Sequence, residues 1–296
     1  MKLRTLLDLA RVSNLPTVWS NVLAGAVLAS AELEALPVVV AGLAGSLLYS
    51  GGMFLNDAFD AEIDARERPE RPIPSGRIAR RSVFLLGIGT LVLALAVLAA
   101  FAALSQAGAE LVATGFGIAA SVLVYDRFHK GVPWSPLVMG LCRGGLYLLG
   151  AFAAGGAVDS VLLPAASLLL YVVGLTHVAR FENASAMGRA WPTAFVFAPA
   201  LVVLATTDYT GASSTRLLTL AAVLVLHVAW TLRALRFART GGRAIGRAVV
   251  TLIAGISLVD AAFIASAGDG PSVALTATAF AAFCVTLLSQ RWIRGT

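Results

Sequence analysis

Apolar residues run along this chain in ten long stretches, near residues 15–31, 36–55, 82–104, 109–125, 135–157, 161–180, 192–207, 216–235, 248–266 and 272–290. Most approach the ~20 residues that a helix needs to cross a ~30 Å hydrocarbon core. They are continuously apolar and lack the in-and-out alternation of a lipid-facing strand. The pattern therefore predicts helices rather than a barrel, since a backbone in lipid must satisfy its own hydrogen bonds. The expected fold class is all-α, a polytopic membrane helix bundle of nine to ten transmembrane helices with ten favoured, in one integral-membrane domain over residues 1–296. The weakest stretch is 192–207. Small residues recur within the spans, as in Gly42-x-x-Gly45, Gly115-x-Gly117 and Gly140-x-x-x-Gly144, and predict close helix packing.

Composition removes the soluble alternatives. With 58% hydrophobic residues, 13% charged residues and a mean hydropathy of +0.85, the chain has too few polar groups to cover a soluble surface. Its net charge of +6 does not point to nucleic acid, because the basic residues are sorted by connection. Of 22 Lys and Arg, 20 lie at the termini and in alternate connections, whereas the opposite set of connections holds only Arg216. Retention of positive charge on the inner side predicts an even number of spans in a cell inner membrane, with both termini and the basic loops cytoplasmic. Ala29-Ser30-Ala31 has the look of a signal-peptide cleavage site, but the polar entrance at Arg11, Ser13 and Asn14 and the succession of later spans favour a retained first helix. Cys142 and Cys284 lie in apolar stretches with no partner spacing and read as packing residues.

The largest polar interruption is the loop 56–81, NDAFDAEIDARERPERPIPSGRIARR. If the second helix runs on past the membrane edge, Asp57, Asp60 and Asp64 share one face with Asn56 beside them, and Glu62 points away. Three like charges on one stripe repel and call for a cation. Oxygen ligands without His or Cys favour a hard ion such as Mg²⁺, which typically bridges carboxylates to substrate phosphates. Arg66, Arg68, Arg71 and Arg77 come next in the chain, with planar forks suited to phosphate oxygens. Acids and arginines together at the mouth of a bundle describe a metal–diphosphate site at a lipid interface.

Asn56-Asp57-x-x-Asp60-x-x-x-Asp64, followed by Arg68-Pro69-x-Arg71-Pro72-x-Pro74-Ser75-Gly76, resembles the first aspartate-rich motif of the UbiA superfamily of intramembrane prenyltransferases. The order of spans is similar over roughly residues 10–260, although the family more often has nine helices. The resemblance implies that Asn56, Asp57, Asp60 and Asp64 hold Mg²⁺ and that Arg68 and Arg71 contact the diphosphate of an isoprenoid donor. It also implies substrate contact by Tyr125, and a catalytic role for Lys130 at the departing diphosphate, although the lysine lies one residue later than in the family pattern. The second motif departs further: where the family has two aspartates four apart, this chain reads Thr176-His177-Val178-Ala179-Arg180-Phe181-Glu182-Asn183. Glu182 is the remaining candidate carboxylate, with Asn183, His177 and Arg180 as candidate ligand contacts.

Residues 11–21 and 129–143 are similar to the UbiA-like subgroup called EboC, which accompanies gene clusters that handle or export specialised metabolites. Together these resemblances imply a UbiA-type polyprenyltransferase that uses Mg²⁺, a prenyl diphosphate donor and an unidentified acceptor in the lipid bilayer, with quinone, tetrapyrrole, glycerol-lipid and sugar-phosphate acceptors all open. The alternative is a catalytically reduced UbiA-like protein that carries a prenylated metabolite, with partner proteins of an export system. Within the spans, Arg143 and Asp260 are the costly charges. Arg143 is a catalytic candidate that reaches phosphate or an acidic acceptor, Asn14 and Asn21 are candidate substrate contacts in the same cavity, and His227 reads as a helix–helix hydrogen bonder.

Overall fold

A computed structural model describes residues 3–295 apart from Ala31, Gln106, Lys130, residues 182–190 and Arg294. The helices are α1 (Leu3–Leu9), α2 (Leu15–Ala29), α3 (Ala35–Glu67), α4 (Arg80–Ser105), α5 (Ala109–Phe128), α6 (Ser135–Ala153), α7 (Asp159–Ala179), α8 (Ala198–Thr206), α9 (Ser214–Thr240), α10 (Arg243–Ala267) and α11 (Pro271–Ser289). Among the described residues, eight are long and apolar enough to cross a membrane. The expected nine to ten spans are matched by eight helices of full length, with two shorter segments besides. The 15 residues of α2 rise only ~22 Å, short of the ~30 Å hydrocarbon core. The stretch at 192–207 also falls short as a regular helix: Trp191–Phe197 is 3₁₀, and only nine residues of α8 come after it. Arg233, Arg236 and Arg239, expected in a connection, continue α9, and the Arg233 guanidinium lies 5.1 Å from the centre of the Trp230 ring and 5.7 Å from that of Phe237.

Burial orders the bundle. In α10, 83% of the apolar window is buried, against 22% in α11 and 28% in α4 and α9, so α10 is the central helix and the others present apolar faces outward to lipid. It packs against α2, α7, α9 and α11. The exposed apolar side chains of α4, such as Leu85, Val92 and Leu93, are what a lipid-facing helix requires.

Two glycines set the helix crossing at the site. A Cβ on Gly25 of α2 would sit 2.0 Å from the Tyr147 carbonyl oxygen of α6, and one on Gly150 of α6 would sit 2.0 Å from that of Val22. Only glycine permits the approach, which brings Asn21 of α2 beside Arg143 and Tyr147 of α6.

Candidate active site at one end of the bundle

The site begins with a helix that is longer than a bilayer is thick. The 33 residues of α3 extend ~50 Å, so its last turns project beyond a ~30 Å core. It ends at Arg68, whose position before Pro69 disfavours helical geometry. Asp57, Asp60 and Asp64 lie on one face of this extension and are only 7%, 9% and 5% exposed, whereas Glu62 faces outward to pair with Arg80 at 3.0 Å. A small apolar cluster, Leu9 and Ala10 with Phe54, Ala58 and Val83, packs at the base of the extension.

Cations offset the buried acids. The 68–79 loop folds back so that Arg71 Nη1 reaches Asp64 Oδ2 at 2.8 Å and Asp57 Oδ1 at 3.4 Å. Arg11 Nη2 lies 3.4 Å from the same Asp57 oxygen. Arg11 is the one non-glycine in the left-handed region among the described residues, with φ 46° and ψ 48°, a conformation that costs about 1–3 kcal/mol. Burial alone would weaken its charged form, but the fields of Asp57, Tyr49 and Asp126 outweigh that and hold its pKa above the ordinary arginine value. His129 stacks on Tyr125 at 4.8 Å and places Nε2 3.6 Å from Asp60 Oδ2.

Asn56 donates to Oδ1 of Asp126 on α5 at 3.2 Å. The other oxygen, Asp126 Oδ2, is buried without a hydrogen-bond partner among the described residues. Asp126 thus adds a fourth carboxylate, from a second helix, to the three of α3. Among the described residues, no three carboxylate or imidazole groups converge on one point to form a closed metal cage. Magnesium does not require one, because it is commonly held by one or two carboxylates and completed by water and phosphate oxygens. The all-oxygen donor set and the unpartnered Asp126 Oδ2 fit such an ion in kind.

A cavity runs from Arg11, Arg68 and Arg71 at the mouth, past Tyr125 and Asp126, to Arg143 and an apolar floor that includes Leu146, Val172 and Ile253. Asn14 lines it, but its side chain is engaged: Nδ2 donates to Tyr49 Oη at 3.1 Å and to the Gly295 carbonyl at 2.8 Å, while Oδ1 accepts from Gln290 at 3.2 Å. Asn21 stands behind Arg143. His177 is half-buried beside the lining residue Thr176 and meets Phe181 edge-on at 5.2 Å. Arg180 ties helix ends together through the Val132 carbonyl at 2.6 Å and Ser135 Oγ at 2.7 Å. Lys130, Glu182 and Asn183 lie outside the described residues.

Three cavity residues do not stand out as site residues in the chain. By sequence, Arg11 is an orienting charge, Tyr49 is one aromatic in an apolar run, and Asp126 is the neighbour of Tyr125. Arg11 and Asp126 do carry a signal, because each is a charge at the polar end of an apolar stretch.

The UbiA prenyltransferase family model matches residues 18–189. Among curated relatives, the digeranylgeranylglyceryl phosphate synthase of Methanopyrus kandleri is 40% identical over 87 residues, 29% of this chain and 32% of that protein. The synthase of the same name from Sulfolobus acidocaldarius is 26% identical over 195 residues, 62% of this chain and 65% of that protein. The chain spans about a third of the length of the first curated relatives it matches. A solved UbiA homologue from Archaeoglobus fulgidus, bound to GPP and Mg²⁺, superposes with a TM-score of 0.66 at 14% identity, covering 95% of this chain and 99% of that one, which shows a shared fold.

Proposed function

Since the chain belongs to the UbiA prenyltransferase family, we propose that it transfers an isoprenoid chain from a prenyl diphosphate to an acceptor held in the same membrane cavity. The observation that carries this reading is the buried carboxylate face of Asp57, Asp60 and Asp64, bridged by Arg71 at the mouth of an apolar cavity. The family name, the GPP and Mg²⁺ bound by the Archaeoglobus fulgidus homologue, and the prenyl-transfer names of the relatives support it. Digeranylgeranylglyceryl phosphate synthesis itself is one acceptor choice among the glycerol-lipid acceptors open to this chain.

In the proposed reaction the allylic C–O bond breaks and its electron pair leaves with the diphosphate. The acceptor nucleophile then bonds to the prenyl carbon and loses a proton. Arg11, Arg68 and Arg71 bind the diphosphate at the mouth with planar forks and hold its charge as it develops. Lys130 adds a further cation in this reading. The apolar floor receives the isoprenoid and keeps water from the allylic carbon. Asn56, Asp57, Asp60, Asp64 and Asp126 would hold Mg²⁺, which when bound neutralises phosphate charge and favours departure of the leaving group. Arg71 orients the carboxylates of Asp57 and Asp64, and in this reading it exchanges a carboxylate for a phosphate when the donor enters.

We place the charged loops and both termini on the cytoplasmic side, on the sorting of Lys and Arg. The EboC-like placement rests on residues 11–21 and 129–143 and carries the second reading, a carrier of a prenylated metabolite, which the reduced second motif at Glu182 favours. Titration of geranyl, farnesyl and geranylgeranyl diphosphates into the protein in lipid nanodiscs, with and without Mg²⁺ and a lipid extract, tests both. Mg²⁺-dependent diphosphate release with a new labelled lipid supports transfer. Tight binding without turnover supports the carrier, and no binding overturns both.

A further inference from the structure

Arg143 is 8% exposed and lies deep in the bundle, yet no carboxylate forms an ion pair with it among the described residues. Nη1 donates to Thr17 Oγ1 and to Asn21 Oδ1, both at 3.0 Å, and the guanidinium lies 5.2 Å from the centre of the Tyr49 ring. Nε and Nη2 make no hydrogen bond among the described residues, and neither is sealed away from the cavity that Arg143 lines. A guanidinium facing an apolar cavity inside a membrane is costly without an anion.

The nearest structural answer, Asp260, is spent elsewhere. It is fully buried and accepts from Ser20, Tyr147 and Asn21, so it meets Arg143 only through the Asn21 amide. That relay fixes the fork. A carboxylate only accepts, so Asn21 must turn Nδ2 to Asp260 and Oδ1 to Arg143. Thr17 donates its hydroxyl hydrogen to the Asn14 carbonyl at 2.7 Å, which leaves its oxygen to accept from Arg143. Nη1 is thus gripped from the helix side and the other edge of the fork is left toward the cavity.

Backbone position offsets this fork from the carboxylate cluster. Arg143 is eight residues into α6, and its neighbour Tyr49 is eight residues before Asp57 on α3, a backbone offset of ~12 Å along α3. Arg11 and Arg143 both border Tyr49, so what sets this fork apart is the edge it turns into the cavity, away from the carboxylates that Arg71 bridges. We propose that Arg143, oriented by Asn21 and Asp260, is a second anion site that receives a phosphate or carboxylate inside the membrane-embedded cavity. Identification of this anion with the acceptor's acidic end rests on the transfer reaction proposed above; the anion site itself does not. Asp260 is here a positioning residue.

The test is a titration of the nanodisc-embedded protein with three probes: dodecyl phosphate, glycerol phosphate, and geranyl diphosphate with Mg²⁺. Wild type is compared with Arg143→Gln, Arg143→Lys, Asp260→Asn and Arg71→Gln. Dodecyl phosphate affinity is expected to fall about tenfold or more in Arg143→Gln and about threefold or less in Arg71→Gln, with the reverse order for geranyl diphosphate. Arg143→Lys, which keeps the charge but loses the planar fork, is expected to fall between wild type and Arg143→Gln, and it serves as the readout if the glutamine variant does not fold. Asp260→Asn is expected to weaken dodecyl phosphate alone. Preference for dodecyl phosphate or for glycerol phosphate identifies a lipid or a soluble source of the anion. Unchanged dodecyl phosphate affinity in both Arg143 variants, or parallel loss of both ligands, overturns the second site. Failure of wild type to bind geranyl diphosphate sinks the transfer reading and leaves the dodecyl phosphate series to judge Arg143.

Discussion

Asn21 Nδ2 lies 2.9 and 3.0 Å from the two carboxylate oxygens of Asp260, a contact between α2 and α10 whose residues are 239 apart in the chain. It joins the entrance helix to the central helix and turns the asparagine carbonyl toward Arg143. One buried acid therefore supports both the packing of the bundle and the aim of a cavity cation.

Removal of that acid should be costly. Asp260→Ala strands the donors of Asn21 and Tyr147, removes one of several partners of the Ser20 hydroxyl and leaves Arg143 without its indirect counter-charge, so a loss of about 3–5 kcal/mol is expected. Asp260→Asn keeps an acceptor and should cost less. Thermal unfolding in detergent, followed by circular dichroism, ranks the two; equal stability of wild type and the alanine variant would contradict the network.

Arg71 competes with a metal for Asp57 and Asp64. Arg71→Gln should leave Mn²⁺ binding alone unchanged or tighter, because the carboxylates lose a bound cation, while prenyl diphosphate affinity falls about tenfold. Electron paramagnetic resonance of Mn²⁺ reads the first and ligand titration the second. A parallel loss of both would mean that Arg71 only shapes the loop.

Asp60→Asn and Asp64→Asn should each abolish Mg²⁺-dependent donor binding while the protein remains monodisperse in detergent, since both carboxylates belong to the projecting end of α3. Chelation of divalent ions from wild type should have the same effect, reversed by added Mg²⁺. Retained binding in either variant removes that residue from the metal site.

Asp126→Asn tests the carboxylate contributed by α5. Its Oδ2 has no partner among the described residues, so the change should cost little stability but weaken Mn²⁺ affinity about threefold to tenfold. Unaltered Mn²⁺ affinity would leave Asp126 as a partner of Asn56 only.

Gly25→Val should break the α2–α6 crossing, because even a Cβ there meets the Tyr147 carbonyl at 2.0 Å. A loss of about 2 kcal/mol or more is expected. Displacement of Asn21 from Arg143 should also weaken dodecyl phosphate binding in whatever fraction folds.

Much of this molecule is local and therefore legible in the chain. Long apolar runs dictate helices in lipid, the i, i+3, i+7 spacing places Asp57, Asp60 and Asp64 on one face once α3 continues, and Pro69 ends that helix. The resemblance carried by 56–76 points to the family whose model matches residues 18–189. Span number was less legible: hydropathy does not distinguish a regular helix from the 3₁₀ stretch of Trp191–Phe197 or the short α2, because both are equally apolar.

Tertiary structure decided which distant polar groups share a cavity. Asp126 meets Asn56 across 70 residues, and Arg11 reaches Asp57 across 46, through a left-handed turn that no local preference of arginine supplies. Asp260 and Arg143, both visible as costly charges, do not pair directly; the glycine-permitted approach of α2 to α6 places Asn21 between them. Periodicity and charge sorting are read from neighbouring residues, so the sequence by itself determined the helices, the acidic face and its family. Which side chains meet depends on helix crossings, set by packing among segments far apart in the chain, and only the folded bundle decides those.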